Sequence, residues 1–329
     1  MYKYILKRLL MMIPVLLGVS LVVFTMMFFT PGDPARIILG ADAKQADIEN
    51  KREELGLNEP FITQYVNYVK NIVTKGDFGT SYSTGRPVTE EIVQRFPTTL
   101  RLAGMSILLS VIIGIPAGII AATKQYSAFD HIGTLISLIG VSMPPFWMGL
   151  VLIILFSVTL GWLPASGFYG PAYWILPTIT VGTASAATIM RMTRSSMLEV
   201  VGQDYMRTAR AKGVSERVAI LKHALYNALI PIITVVGLQF GGLLGGAVLT
   251  ESIFSIPGIG KLMVDSIKEK NFPMVQGGVL FIAIVFSFVN LAVDLLYAYV
   301  DPRIKSQYKP VSYTHLLPLW MLFTRAPAP

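Results

Sequence analysis

Six long runs of apolar residues alternate with polar segments along this 329-residue chain. They cover residues 9–30, 99–122, 131–160, 174–192, 226–250 and 275–300. A helix needs about 20 apolar residues to cross the hydrocarbon core of a bilayer, and each run has about that length or more. Because lipid cannot satisfy free backbone amides, the runs are predicted to be helices. The predicted fold class is an all-α membrane protein with six transmembrane helices.

The first run follows three cations, Lys3, Lys7 and Arg8, as the apolar part of a signal peptide does. A signal peptide also has a small-x-small cleavage site after its apolar part. The sequence FFTPGD stands at that place instead. We therefore expect residues 1–30 to be retained as an uncleaved first transmembrane helix.

The charges of the short polar segments predict the orientation, since Lys and Arg collect in cytoplasmic loops. With the N-terminus inside, the inside segments hold Lys3, Lys7, Arg8, Lys124, Arg191, Arg194, Arg207, Arg210, Lys212, Arg217, Lys222, Arg303, Lys305 and Lys309. The outside loop 161–173 holds no charge, and in the outside loop 251–274 three lysines are balanced by three carboxylates. The predicted topology is N-in and C-in.

The long outside loop, residues 31–98, is predicted to be an ordered extracytoplasmic element between helices 1 and 2. Residues 47–57 have helical character, and residues 61–73 are amphipathic at helical spacing. Residues 88–96 are predicted as a separate short helix with Thr89 as its cap. This element either covers the outer mouth of the bundle or receives a soluble partner, and both roles are compatible.

The apolar runs contain many glycines and prolines, which let helices approach closely or bend. Pro116 and the pair Pro144 and Pro145 are expected to kink or break their helices. Asp294 is the main ionisable residue inside a run, and we expect it to make a structural polar contact near the membrane interface.

Composition supports a membrane protein and excludes several kinds of chemistry. The chain is 53% hydrophobic and 14% charged, whereas soluble domains carry about 25% charged residues. The net charge is +8, but the sequence has no basic stripe interleaved with aromatic residues, so nucleic acid is not expected as a partner. The chain has no cysteine, and its three histidines are far apart, so no metal site is predicted.

No catalytic motif stands out either. The sequence GIGKL at 258–262 is the nearest approach to a phosphate-binding loop, and it lacks the first Gly and the final Ser or Thr. No enzyme activity and no cofactor are therefore predicted for this chain. The near absence of charges inside the apolar runs argues against an ion-coupled pump, so energy for transport would have to come from another subunit.

The polar segment 203–225 interrupts two strongly apolar runs and is predicted to form two short helices. Gln203 and Asp204 can cap a helix that begins near Tyr205, and Ser215 can cap a second helix over residues 216–224. Gly213 suits the left-handed position that ends the first helix. Cations and small alanines on this protrusion suit contact with a partner protein.

At this segment the sequence resembles a known family. RTARAKG at 207–213, followed by HALYNALIP at 223–231, resembles the EAA loop of the membrane subunits of ABC importers, in the version found in dipeptide, oligopeptide and nickel permeases. Ala209 and Gly213 match the general motif, whereas Arg207 replaces its Glu, Thr208 its first Ala, and Tyr226 the Pro that follows Leu225. Other stretches also resemble this branch: TPGDPA at 30–35, GDFGTSYSTGRPV at 76–88, RFPTTLRLA at 95–103, SMPPFWMG at 142–149, LLGGAVLTESIFSIPGIG at 243–260 and DLLYAYVDPRI at 294–304.

The resemblance implies a type I ABC importer permease fold, with a five-helix core over residues 99–304 and a cytoplasmic coupling segment at 203–225. It also implies partners: a paralogous second permease chain, two cytoplasmic ATP-binding subunits, an extracytoplasmic substrate-binding protein and the lipid of a prokaryotic plasma (inner) membrane. The residues expected to couple to the ATPase subunits are Arg207, Thr208, Ala209, Arg210, Gly213 and Leu225.

The function implied is ATP-driven import of di- or oligopeptides. Nickel chelate or sugar remain alternative substrates, and a self-sufficient secondary transporter or an intramembrane enzyme is a less favoured class. The last residues, 311–329, contain VSYTHL, which resembles the translated end of a sequencing adapter. We interpret this tail as a sequence artefact or a disordered end.

Overall fold

The computed structural model describes residues 2–40 and 42–300 and is almost entirely helical. The helices are α1 Tyr2–Phe29, α2 Pro34–Leu39, α3 Gln45–Glu54, α4 Phe61–Lys75, α5 Val88–Thr123, α6 Ala128–Ser142, α7 Pro145–Leu152, α8 Ala172–Val201, α9 Asp204–Ala211, α10 Glu216–Val218, α11 Leu225–Gly246, α12 Val248–Ile253, α13 Ile259–Lys268 and α14 Phe272–Val300. Two π-helical stretches, Ile153–Thr159 and Ala219–Ala224, continue α7 and α10. The predicted tail 311–329 and residues 301–304 of the predicted core lie outside the described residues.

In the part of the chain that the structure describes, four helices are long and apolar enough to cross a membrane: Ile5–Phe29, Val88–Thr123, Glu216–Gly245 and Phe272–Leu296. The pair Ala128–Ser142 and Pro145–Thr159 makes a fifth crossing if the two helices, which are bent by 102°, are counted as one broken span. The all-helical membrane fold is thus confirmed, with four or five of the six predicted spans.

The predicted span at 174–192 lies in α8, which is not among the helices that are both long and apolar enough to cross a membrane. This helix lies at the centre of the bundle, where it contacts α5, α6, α7 and α11. Fifteen of its 30 residues are buried, and many of these are threonine, serine, alanine or glycine. A helix surrounded by other helices needs small side chains for close packing more than it needs apolar ones.

Close approach of α5 and α8 depends on glycines that face α8. A Cβ atom at Gly118 would lie 2.6 Å from the Cβ atom of Thr193 and 2.7 Å from the carbonyl oxygen of Met190. At Gly114 it would lie 2.7 Å from the carbonyl oxygen of Ala186. Small residues that bring two backbones together are typical of helix contacts in membranes.

The sequence prediction of a separate helix at 88–96 is wrong, because α5 runs without interruption from Val88 to Thr123. Pro87 stands at its N-cap, while the Thr89 hydroxyl donates instead to the carbonyl oxygen of Gly76 at 3.2 Å. Pro116 lies inside the continuous helix and does not end it. The expected break at Pro144 and Pro145 is confirmed by the 102° bend between α6 and α7.

The first and last long helices, α1 and α14, pack against each other and run in opposite directions. Arg8 Nε lies 3.2 Å from Asp294 Oδ2 near the start of α1 and the end of α14. This ion pair confirms the expected structural contact of Asp294. We call the end of the bundle where α1 begins the proximal end, and the end where α1 finishes the distal end.

At the distal end, the described part of residues 31–87 contains α2, α3 and α4, whereas the rest of the predicted element 31–98 belongs to α5. Asp33 caps α2 by accepting from the Ala35 amide at 3.1 Å, and it also pairs with Arg52 Nη2 at 3.0 Å, which ties α2 to α3. The buried amide group of Asn271 donates to Ser81 at 2.7 Å and accepts from the Tyr82 amide at 3.0 Å. The element is therefore attached to the turn that precedes α14.

Candidate functional site

The polar segment 203–225 lies at the proximal end and turns a sharp corner at Gly213. Helix α9 ends just before this residue, which has a φ of 81°. Its amide donates to the carbonyl oxygen of Arg210 at 2.9 Å, and the next amide, of Val214, donates to the carbonyl oxygen of Ala209 at 3.2 Å. This bonding uses carbonyls that the end of a helix would otherwise leave unpaired, and glycine adopts the required backbone without strain.

The corner is fixed to the bundle from beneath by apolar side chains. Met206 of α9 is fully buried, as are Ala219 and Ala224 of the π-helical stretch. They form one buried cluster with residues of α5, α8 and α11, namely Ala122, Met197, Ala228 and Ile232. A movement of the corner would therefore be transmitted directly to three long helices.

One bidentate ion pair ties the two sides of the corner together. The Arg210 guanidinium donates to the two Glu216 carboxylate oxygens at 2.8 and 3.0 Å. This hydrogen bond raises the pKa of Arg210, which keeps the guanidinium charged. Arg207 lies 3.7 Å from Asp204 on the same helix. The charges of both arginines are thus partly balanced within the segment.

The predicted site residues do not all face the same way. Arg207, Thr208, Arg210 and Gly213 are exposed, and a Cβ atom at Gly213 would meet nothing within 4 Å. Ala209 is half-buried. Leu225 instead packs against the buried cluster beneath the corner, so the structure separates it from the exposed group.

Sequence reasoning anticipated the cations of this exposed surface but missed its apolar side chains. The apolar side chains of Tyr205, Val218, Leu221 and Tyr226 are all exposed on or beside the segment. Lys212, Arg217 and Lys222 have no ion-pair partner among the described residues. Val218, Leu221 and Lys222 repeat at helical spacing after Ser215, and that spacing was the signal available in the sequence. This surface therefore combines exposed apolar side chains with cations that have no ion-pair partner among the described residues.

A second group, at the distal end, was also missed by sequence reasoning. Glu251 is completely buried, and its carboxylate accepts from the Thr99 hydroxyl at 2.7 Å and from the Lys261 amide at 3.1 Å. Its carboxylate also accepts from the Gly260 amide. Thr99 in turn accepts from the Ile259 amide at 2.8 Å. Thr99 and Glu251 together satisfy the first three amides of α13, and we call this group the distal clasp.

The distal clasp explains the glycines that looked like part of a phosphate-binding loop. A Cβ atom at Gly258 would collide with the Glu251 carboxyl group, and one at Gly260 would lie 2.5 Å from the Cα atom of Val248. Burial raises the pKa of Glu251, and its hydrogen bonds oppose that rise. The glycines therefore allow α12 and α13 to meet around a buried carboxyl group. Among the described residues, no group of His, Asp and Glu side chains could hold a metal ion.

These features define a class of protein: a helical membrane component with a buried, small-residue helix at its centre and an exposed polar corner at one end. Comparison with known proteins gives the family. The profile named "Binding-protein-dependent transport system inner membrane component" matches residues 114–306, and the one for the N-terminal part of such components matches residues 1–103. The chain belongs to this family of ABC importer permeases and is a multi-pass protein of the plasma membrane.

Two groups of curated relatives are similar over nearly their whole length. The dipeptide transport system permease protein DppB of Alkalihalophilus pseudofirmus is 46% identical, with 93% of this chain and 100% of that protein covered. The glutathione transport system permease protein GsiC of Escherichia coli K12 is 47% identical, with 93% and 99% covered. Among solved structures, an inward-facing MetNI methionine ABC transporter matches with a TM-score of 0.53 at 18% identity, over 65% of this chain and 97% of that chain. That likeness supports the fold.

Proposed function

We propose that this chain is the transmembrane pathway subunit of an ATP-driven peptide importer. Its relatives of 46% and 47% identity are named as dipeptide and glutathione permeases, and these ligands share a peptide backbone. In this proposal α8 supplies the sixth crossing, the proximal end faces the cytoplasm, and the distal end faces outward. The pathway is completed by a second, paralogous permease chain.

The proximal corner is proposed as the docking site of the ATPase subunits. The observation that carries this is the combination of an open surface around Gly213 with a fully buried anchor, Met206, directly beneath it. A partner can approach the corner without steric hindrance, and its movement reaches α5, α8 and α11 through the apolar cluster. Because Arg207 and Arg210 are partly balanced by Asp204 and Glu216, the charges offered to the partner come mainly from Lys212, Arg217 and Lys222.

The residues 31–98 at the distal end are proposed to face the external binding protein. ATP hydrolysis belongs to separate subunits in this scheme, and the chain itself needs no cofactor. Closure of the ATPase pair would move the Gly213 corner, and the glycine-mediated contact of α5 and α8 would carry the movement to the pathway.

A matched pair of substitutions tests the docking site. Gly213→Arg places a large side chain on the open corner, and Gly85→Arg is its control, since Gly85 also has a positive φ, also has open space around it, and lies at the distal end. We expect Gly213→Arg to abolish co-purification of the ATPase subunits and ATP-dependent uptake of a labelled dipeptide, while Gly85→Arg retains the co-purification. Retention of both properties by Gly213→Arg would overturn the assignment of the corner.

The same uptake assay tests the substrate class. Excess unlabelled dipeptide or glutathione is expected to compete with the labelled dipeptide, whereas a nickel chelate or a sugar is not. Competition by the chelate or sugar alone would replace the peptide proposal with one of those alternatives.

A further inference from the structure

Helix α4 lies in the element at the distal end, and only half of its apolar face contacts the rest of the protein. Its polar residues share one side, where they line an open cavity of about 930 Å³: Gln64, Asn67, Lys70, Asn71, Thr74 and Lys75. Half of the apolar side contacts α1 through Phe61, Tyr65 and Tyr68. The other half carries Ile62, Val66 and Val73, which are 66%, 54% and 77% exposed.

The contacts with α1 give the depth of α4 along the bundle. The rings of Phe61, Tyr65 and Tyr68 lie 5.5–5.6 Å from the ring of Phe24. Phe24 is five residues before Phe29, which is about 8 Å along a helix with a rise of 1.5 Å per residue. Since Phe61 also lies 5.0 Å from Phe28, the contact between α4 and α1 extends from the distal end of α1 down to Phe24.

One contact reaches deeper still. The Tyr65 hydroxyl lies 2.9 Å from the Ser20 hydroxyl and donates to the carbonyl oxygen of Leu17 at 3.2 Å. Leu17 lies twelve residues before Phe29, about 18 Å along the helix. The candidate span Ile5–Phe29 is about 37 Å long against a hydrocarbon core of about 30 Å, so at most about 7 Å of it can extend beyond the core at the distal end. Tyr65 thus enters the depth of the hydrocarbon.

The exposed stripe is continuous with the surface that α1 presents to lipid. Leu17 and Leu21 of α1 are exposed beside the Tyr65 contact, and only 11% of the α1 span is buried. Lys70 stands one helical turn from both Val66 and Val73, at the border between the stripe and the polar face. An amphipathic helix with a lysine at that border suits the boundary between acyl chains and phosphate headgroups.

We propose that α4 is an interfacial helix embedded in the leaflet at the distal end of the bundle. Ile62, Val66 and Val73 contact acyl chains, Lys70 reaches the phosphate headgroups, and the polar face keeps the cavity open to water. The helix anchors the distal element to the membrane, so the element follows the movement of α1 and does not move freely above it. This inference concerns lipid contact and stands independently of the transported substrate.

The natural absence of cysteine allows a direct test with single labels. Val66→Cys and Val73→Cys report on the stripe, Val22→Cys on the exposed face of α1, and Asn67→Cys on the polar face of α4. Each variant, in the full chain assembled with its partner subunits, is labelled with an environment-sensitive fluorophore. The assembly is then placed in vesicles of phosphatidylethanolamine and phosphatidylglycerol that contain lipid with a nitroxide near the head of the acyl chain.

The labels at Val66 and Val73 are expected to show blue-shifted emission and quenching by the nitroxide lipid comparable to that at Val22. This quenching should exceed that at Asn67 at least about twofold. A water-soluble quencher should give the reverse order. If the Val66 and Val73 labels are quenched by the water-soluble reagent as strongly as the Asn67 label, α4 does not lie in the membrane and the proposal is wrong. Protection of these labels only after the external binding protein is added would also overturn it and would identify the stripe as a protein contact.

Discussion

Removal of the Glu251 carboxylate should release the first turn of α13 from the rest of the bundle. The carboxylate accepts from Thr99, Gly260 and Lys261 in a completely buried position. After Glu251→Ala, two backbone amides lose their acceptor and a cavity remains in the place of the side chain. Each buried amide that is left without an acceptor costs about 1–3 kcal/mol, so the two together cost about 2–6 kcal/mol.

We expect Glu251→Gln to destabilise the protein less than Glu251→Ala does. The amide oxygen can still accept from Thr99 Oγ1, but its NH2 group then faces the amide of Lys261, which is also a donor. One unsatisfied buried donor costs about 1–3 kcal/mol. Glu199→Ala is the control, because Glu199 is an exposed glutamate at the proximal end of α8.

Hydrogen exchange of the purified protein in lipid nanodiscs measures the effect where it arises. Because about 1.4 kcal/mol corresponds to a factor of ten in an equilibrium constant, Glu251→Ala should raise the exchange rates of amides 259–261 by at least about thirtyfold. Glu251→Gln should give an intermediate increase, and Glu199→Ala none. Unchanged exchange at residues 259–261 in Glu251→Ala would refute the distal clasp as the interaction that holds α13.

Three further predictions concern packing and pH. Gly118→Ala should destabilise the protein by about 1–3 kcal/mol because α5 and α8 must separate. Gly104→Ala should not destabilise it, because no atom lies within 4 Å of the new Cβ atom. Thermal unfolding in detergent compares the two variants. Met206→Ala should cost about 2–5 kcal/mol through the cavity beneath the Gly213 corner, against about 0.5 kcal/mol or less for Lys212→Ala, an exposed residue of the same segment. Equal losses in the same melting assay would contradict the buried anchor. Because the pKa of Glu251 is raised in the folded protein, the stability that this carboxyl group contributes is complete below its ordinary pKa of 4.5. That stability is lost as the pH rises through the pKa of the folded state. The melting temperature of the unchanged protein should therefore fall more between pH 5 and pH 8 than that of Glu251→Gln.

Long-range contacts account for what the hydropathy pattern did not show. The pattern predicted α1, α5, α11 and α14 because each of them has a surface exposed to lipid, which requires a long apolar run. It also predicted α8 as a span, but it did not show that half of this helix is buried among other helices. Neither hydropathy nor helix propensity shows which apolar run will be at the centre of a bundle.

The Gly213 corner was predictable because its determinants are local. Gly213 ends a helix by backbone geometry, and the turn at this residue is set by neighbours within a few positions of it. The caps were predicted less well, since Gln203 and Ser215 stand at the N-cap positions but make no side-chain cap hydrogen bond. The anchoring of the corner was not predictable in the same way, since Met206 is buried by Ala122, Met197 and Ile232, which are distant in the sequence.

The sequence by itself therefore determined the membrane class, most of the long helices, the family and the glycine corner, because each depends on composition, periodicity or a short contiguous motif. Only the tertiary structure decided that α5 is a single helix, that Leu225 faces the core, and that half of the α4 apolar face remains exposed beside α1. It also decided that Glu251 is a buried acceptor for the start of α13, because the Thr99 that shares this role is 152 residues away in the chain. Contacts of that range depend on how the helices pack, and no local pattern encodes them.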